Sequence, residues 1–99
     1  SAIYSASKHG LVGLMKSVAD EWGEFGITCN CIGPGYVRTK MGIQENKVKF
    51  HEKEFLKKPP VMKIASPEEI ARAVIFLISE DSGYINGANW MVDGGMSAI

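Results

Sequence analysis

From residue 5 to residue 25, apolar side chains recur at Leu11, Leu14, Met15, Val18, Trp22 and Phe25. The intervals of 3, 1, 3, 4 and 3 follow one stripe of an α-helix. Lys16, Asp20, Glu21 and Glu24 fall mostly off that stripe. Gly10 and Gly13 weaken helix propensity, so the sequence predicts that another helix or a ligand comes close to them. Gly26 is placed to end the helix as a C-terminal glycine does. The period then changes. Ile27-Thr28-Cys29-Asn30-Cys31-Ile32 is short, largely apolar and followed by Gly33-Pro34-Gly35, which predicts a buried strand broken sharply at the glycines.

Residues 40–63 have a different character. Lysines at 40, 47, 49, 53, 57, 58 and 63 alternate with Glu45, Glu52 and Glu54 and with scattered Met41, Val48, Phe50, Phe55 and Leu56. This predicts one or two short helices with a charged outer face, ended by Pro59-Pro60. The interleaved acids and the lack of a stacking platform make a solvated face, not a nucleic-acid surface. Its functional version is a lid over a ligand site. Ser66-Pro67-Glu68-Glu69 then starts a second helix, with Ser66 and Glu69 spaced as a capping box and Pro67 at the first helical position. Ile70, Ala73, Val74, Leu77 and Ile78 supply its stripe, and Asp81-Ser82-Gly83 ends it. Ile85-Asn86-Gly87 reads as a turn, and Asn89-Trp90-Met91-Val92 as a buried strand before Asp93-Gly94-Gly95.

The predicted order is helix, strand, lid, helix, strand. Two strands joined through a helical crossover pair in parallel and with right-handed connection. Parallel sheets need both faces covered, and these apolar faces lack partners in the sequence. The fold class expected is therefore α/β, the C-terminal half of a doubly wound, Rossmann-like parallel sheet without its N-terminal half. In such sheets ligands bind beyond the carboxyl ends of the strands, where Gly35-Tyr36-Val37-Arg38-Thr39 falls. One domain is expected: residues 1–39 as helix, strand and ligand loop, 40–63 as lid, and 64–99 as helix, last strand and interface.

Composition narrows the function classes. The chain has 99 residues, 45% hydrophobic and 22% charged, with eleven acidic and eleven basic side chains. That balance gives no field to attract nucleic acid or an anionic membrane. No apolar run approaches the ~18 residues of a membrane helix. The start at Ser1, without Met or a leader pattern, suggests a piece of a longer chain. Cys29 and Cys31 are too close for an unstrained bridge, and without a second ligand pair they make no zinc site. They are expected as buried free thiols in a reducing, cytoplasmic compartment. His9 and His51 carry no ligand pattern and read as solvated, so no metal is expected.

Tyr4 and Lys8 lie four residues apart, hence on one helical face. A phenol beside an ammonium is a plausible proton-transfer pair. A free phenol titrates near ~10, and moving it to about 7 takes roughly 3 units, or on the order of 4 kcal/mol. A neighbouring cation acts in that direction, though one ammonium alone falls short of it. The ordinary alternative is two unrelated surface residues, and the spacing by itself does not decide between them.

Taken together, Tyr4-Ser5-Ala6-Ser7-Lys8, Asn30-x-Ile32-x-Pro34-Gly35-x-Val37-x-Thr39, Ile85-Asn86-Gly87 and Val92-Asp93-Gly94-Gly95 resemble the motifs of the short-chain dehydrogenase/reductase family. They occur in that family's order and span nearly the whole chain. Within the family the sequence is similar to the classical oligomeric type, in the neighbourhood of 3-oxoacyl-carrier-protein reductases and sugar or polyol dehydrogenases. The resemblance implies an NAD(P)-dependent oxidoreductase interconverting a secondary alcohol and a ketone. Tyr4 would be the general acid/base, and Lys8 would bind the nicotinamide ribose and ease deprotonation of Tyr4. Pro34 and Gly35 would shape the turn against the nicotinamide. The backbone of Val37 would hold the carboxamide, and the Thr39 hydroxyl would reach the carboxamide or the phosphates. Asp93, Gly94 and Gly95 would close the last turn beside a subunit interface, giving a homodimer or homotetramer.

The departures matter as much. The family's glycine-rich phosphate loop does not occur here, because Gly33, Gly35 and Gly42 do not precede a helix in the required spacing. Its catalytic Ser would lie before residue 1, since Ser1, Ser5 and Ser7 are too near Tyr4. The residue that separates NAD from NADP is likewise outside the sequence, so the cofactor is NAD or NADP. Asn86 stands where Thr is commoner. A second reading follows from these gaps: a catalytically incomplete subunit that acts only through oligomer assembly. Tyr36 and Arg38 receive no role, and Trp22, Phe25 and Trp90 are expected to pack in the core or at an interface.

Overall fold

The computed structural model describes residues 1–39 and 63–98. They form two compact units, Ser1–Ile32 with Phe76–Trp90 and Gly33–Ile75 with Met91–Ile99. The regular elements are helix α1 (Ala2–Trp22), strand β1 (Cys31–Pro34), helix α2 (Pro67–Leu77) and strand β2 (Asn89–Val92). The two strands pair side by side in parallel. This is the predicted α/β order, and the predicted lid over 40–63 lies outside the described residues except for Lys63.

In the first unit, α1 begins earlier than the apolar stripe suggests. Ser1 caps it, its hydroxyl accepting from Tyr4 N–H at 3.2 Å and its carbonyl from Ser5 N–H at 3.0 Å. A side-chain cap satisfies one of the donors that every helix start leaves free. The helix tightens into a 3₁₀ turn at Gly23–Phe25 and stops at Gly26, whose φ of 77° lets its N–H reach Gly23 O at 3.0 Å. The predicted glycine stop is therefore observed. Among the described residues nothing approaches Gly10 or Gly13, where an added methyl group would meet nothing within 4 Å.

The stripe of α1 is only partly covered. Met15 and Ala19 are 3% and 6% exposed, whereas Leu14 and Phe25 are 62% and 65% exposed, and Leu11 and Trp22 are also open. Trp22 and Phe25 instead pack on each other, ring centroids 5.6 Å apart. Burying a large apolar side chain is worth about 1.5–3 kcal/mol, so the uncovered stripe leaves several such contributions unused among the described residues.

Strand β1 is displaced from its predicted position. Residues 27–30 do not join the regular ladder. Side-chain amides hold that stretch, with Cys29 N–H donating to Asn86 Oδ1 at 2.9 Å and Asn30 donating to Ile85 O at 3.0 Å. The strand then continues through Gly33-Pro34, where a break was predicted. Cys31 donates to Ala88 O and Gly35 to Val92 O, so the odd positions face β2. In a parallel ladder alternate residues turn to opposite sides, so Pro34 directs its missing N–H away from β2. That register tolerates a proline.

The turn at 85–87 forms as predicted, with Gly87 at φ 75° donating to Cys29 O at 2.9 Å. Phe76 stacks on Trp90, ring planes 4° apart and centroids at 5.5 Å. The Ser82 hydroxyl, buried, lies 2.7 Å from Leu77 O and 3.0 Å from Ser79 O and closes the end of α2. Cys29 and Cys31 are free thiols, half-buried rather than fully buried. Of the α2 stripe, Val74 and Ile78 are exposed, and β2 is half-covered, not buried.

In the second unit the capping box forms at the start of α2. Glu69 N–H donates to Ser66 Oγ at 3.3 Å, and Ser66 N–H returns to Glu69 Oε1 at 3.2 Å. Lys63 adds an ion pair to the same carboxylate at 2.8 Å. Replacing Ser66 by Ala removes the cap acceptor and is expected to lower stability by about 1 kcal/mol. A denaturation midpoint unchanged from wild type would contradict that role for Ser66.

Candidate active site

Helix geometry alone sets the candidate residues of the first unit. One helical turn places Lys8 above Tyr4, and the Lys8 ammonium stands over the phenol ring, 5.4 Å from its centroid. An ammonium at that distance is attracted to the ring face. Tyr4 is 63% exposed, so its hydroxyl is accessible to a reacting molecule. Neighbouring polar groups turn back onto the helix: Ser7 Oγ donates to Tyr4 O at 2.7 Å, and His9 Nδ1 bonds Ser5 O at 2.8 Å. Neither competes for the phenol oxygen. Lys8, His9, Val12 and Asn89 line an open recess of about 300 Å³. The structure thus brings Tyr4 and Lys8 together, as the spacing predicts.

The remaining sequence-predicted residues belong to the second unit. Pro34 ends β1 and Gly35 follows, its N–H bonded to Val92 O at 3.2 Å. Val37 forms a parallel bridge with Ala65. In that bridge Ala65 N–H donates to Tyr36 O at 3.0 Å and Arg38 N–H donates to Ala65 O at 2.9 Å. The bonds use the backbone groups on either side of Val37, so Val37 turns its own N–H and C=O the other way. One donor and one acceptor side by side match the complementary pair of a primary amide. Thr39 follows, exposed.

Gly35 is required by close packing, not by an unusual φ. A methyl there would lie 3.0 Å from both Cα and Cβ of Asp93. Asp93 is itself fixed. It is 8% exposed, and its carboxylate accepts from Gly95 N–H at 2.9 Å and Ser97 N–H at 3.0 Å. Gly94 and Gly95 supply the positive φ values of 66° and 89° that the turn needs. Hydrogen bonding from Ser97, its hydroxyl first, holds the Asp93 carboxyl below the usual carboxylate range; loss of solvent opposes this, and the N–H groups of Ser97 and Gly95 assist it. The Lys63 ammonium, followed by the Ser66 N–H, does the same for Glu69. Gly35, Tyr36, Lys63, Glu69, Met91 and Asp93 are among the residues lining a cavity of about 250 Å³ beside this turn. No group of three or more His, Cys, Asp or Glu side chains among the described residues could hold a metal ion.

A family model described as enoyl-(acyl carrier protein) reductase matches residues 1–97. The chain belongs to the short-chain dehydrogenase/reductase family. The sequence is 47% identical over 93 residues to a 3-oxoacyl-(acyl-carrier-protein) reductase of Buchnera aphidicola, covering 94% of this chain and 37% of that relative. Among solved structures, a 4-hydroxyisoleucine dehydrogenase complexed with NADH superposes with a TM-score of 0.83 at 33% identity, over 99% of this chain and 39% of that one. A candidate 2-deoxy-d-gluconate 3-dehydrogenase from Agrobacterium tumefaciens, with bound NADP, gives 0.87 at 38% identity, over 97% and 39%. The chain thus spans a little over a third of the length of these short-chain dehydrogenase/reductases, and its α/β architecture is the Rossmann-like one of that part.

Sequence reasoning missed the Asn86 and Asn30 amide bonds, the packing of Asp93 behind Gly35 and the Lys63–Glu69 ion pair. Only Asp93 had a local signal, an acidic residue before two glycines, which favours a turn closed by its own carboxylate.

Two outcomes follow from the Asp93 turn. Gly35→Ala forces a backbone shift and is expected to cost about 1–3 kcal/mol, as overpacking does; a wild-type melting temperature would refute the contact. Because the folded-state carboxyl of Asp93 lies below its ordinary value, its stabilisation is present above that value and is lost as pH falls through the depressed one. Between about pH 7 and about pH 3, Asp93→Asn should lower stability at the neutral end and flatten the acid-side slope of denaturation midpoint against pH. An unchanged slope would show that Asp93 does not carry it.

Proposed function

We propose that this chain carries the proton-transfer and nicotinamide-contacting part of an NAD(P)-dependent oxidoreductase that interconverts a secondary alcohol and a ketone. The observation that carries the proposal is the Lys8 ammonium standing over the Tyr4 ring on one turn of α1. The dehydrogenases and the reductase similar to this chain support it, two of them in complexes with NADH or NADP.

A bound nicotinamide supplies or accepts the hydride. The residues present fit such a group: the outward N–H and C=O of Val37 suit its carboxamide, and Gly35 keeps that loop close to Asp93. Thr39 lies next along the same loop for a second polar contact. In the reductive direction the Tyr4 hydroxyl gives its proton to the substrate oxygen as the carbonyl carbon is reduced. In the oxidative direction the phenolate takes the alcohol proton. Lys8 offers N–H donors to a ribose hydroxyl beside Tyr4. Pro34 restricts the turn leading into the loop.

The same reading places the protein in a reducing, cytoplasmic compartment, in keeping with the free thiols of Cys29 and Cys31. It also makes the protein a homodimer or homotetramer, for which the open apolar side chains of α1 and the Phe76–Trp90 stack are available surfaces.

The test is Tyr4→Phe in the full-length protein, assayed with acetoacetyl-coenzyme A and a panel of secondary alcohols and ketones, with NADH, NADPH and their oxidised forms. General acid–base groups contribute roughly 10²–10⁴-fold, and a loss of that size in kcat is expected with cofactor affinity near wild type. Wild-type turnover in Tyr4→Phe would remove Tyr4 from the mechanism.

A further inference from the structure

We infer that Asn86 is a positioning residue for α1, the helix that carries Tyr4 and Lys8. The inference rests on the catalytic reading of those two side chains. Asn86 donates from Nδ2 to Ala19 O at 3.0 Å, across 67 residues of sequence, and accepts on Oδ1 from Cys29 N–H at 2.9 Å. One planar amide thereby joins the last turn of α1 to the residues leading into β1. The last turn of a helix is where carbonyls run out of intrahelical donors, and Ala19, 6% exposed, has little access to water.

Among the described residues the buried side chains of α1, Met15 and Ala19, are apolar. Apolar burial resists separation but not sliding or rotation, because it scales with area and has no preferred direction. A hydrogen bond near 3 Å weakens steeply as its angle departs from linearity. The Asn86 amide is bonded at both ends, so its plane cannot turn to follow a displaced helix. The next residue reinforces this. Gly87 donates to Cys29 O at 2.9 Å, so the turn that carries Asn86 is bonded twice to Cys29 and once to Ala19.

Asn86→Asp separates the two arms. Its carboxylate can still accept from Cys29 N–H but cannot donate to Ala19 O, and it places negative charge at the negative end of the helix. Asn86→Ala removes both arms. Each variant of the full-length protein is measured beside Tyr4→Phe with acetoacetyl-coenzyme A, or with whichever panel compound the wild type turns over. The measurements are kcat, cofactor KM, the isotope effect with 4-deuterated reduced cofactor, and circular dichroism for the folded fraction. A displacement of about 1 Å far from the chemistry can cost ~10²-fold, so kcat is expected to fall between ~10- and ~100-fold in both variants. Cofactor KM should change by a much smaller factor, and the isotope effect on kcat should grow as the chemical step becomes slower than release. Folded variants with wild-type kcat and isotope effect overturn the inference. So does failure of both to fold, which would make Asn86 a general structural residue. If Tyr4→Phe itself keeps turnover, or the wild type reduces or oxidises none of the compounds, the catalytic reading fails first and the inference goes with it.

Discussion

The constraint on which the described structure depends is the pairing of two strands of four residues each, β1 and β2, brought together from 58 positions apart. Closing a loop of that length costs about 3–4 kcal/mol on a logarithmic law, besides a constant term. So short a ladder has few backbone bonds to offset it. Two asparagines extend the pairing beyond the ladder. Asn30 donates to Ile85 O and accepts from Ala88 N–H, while Asn86 accepts from Cys29 N–H. At about 1 kcal/mol net for each such bond, these three side-chain contacts are of the same size as the closure cost. They also fix register, because an amide with one donor end and one acceptor end fits only one alignment of the two segments.

That pairing explains why the apolar pattern and the observed burial disagree. A parallel pair is normally covered on both faces, and its neighbouring helices share that cover. Among the described residues α1 buries little beyond Met15 and Ala19, while Leu11, Leu14, Trp22 and Phe25 stay open. The periodicity of α1 is that of a helix meant to be packed, and the side chains are the right size to contribute several kcal/mol when covered. The polar bonds therefore set alignment, and apolar area supplies most stability only where something lies over it.

What could be read from the sequence was whatever depends on neighbours within a few residues. The Ser66–Glu69 box, the Gly26 stop, β2 at Asn89–Val92 and the Tyr4–Lys8 approach all follow from local spacing, and all are present. The misplaced element was β1, because Gly33-Pro34-Gly35 has the composition of a breaker. Its outcome depends on which side of the strand faces a partner, and that is set by the distant 88–92 segment. The amide bonds of Asn30 and Asn86 were hidden for the same reason, since each joins residues more than fifty positions apart. Asp93 lay between the two cases: its own turn was legible, but its contact with Gly35 required the strands to be paired first.

In the proposed function the proton-transfer pair and the carboxamide contact belong to different units and differ in what holds each of them. Tyr4 and Lys8 need only a helical backbone to meet, so their approach withstands any change that leaves α1 intact. The Val37 backbone pair depends on tertiary contacts: a bridge to Ala65, and Gly35 packed against Asp93 with no room for a methyl group. A proton donor tolerates modest rotation of its side chain because the hydroxyl can swing toward its target. A clamp for a flat amide does not, since its donor and acceptor must both lie near one plane. Under the proposed function the demand for rigidity falls on the loop, where Gly35 meets Asp93 with no room for a methyl group and the Asp93 carboxylate is buried and doubly hydrogen-bonded.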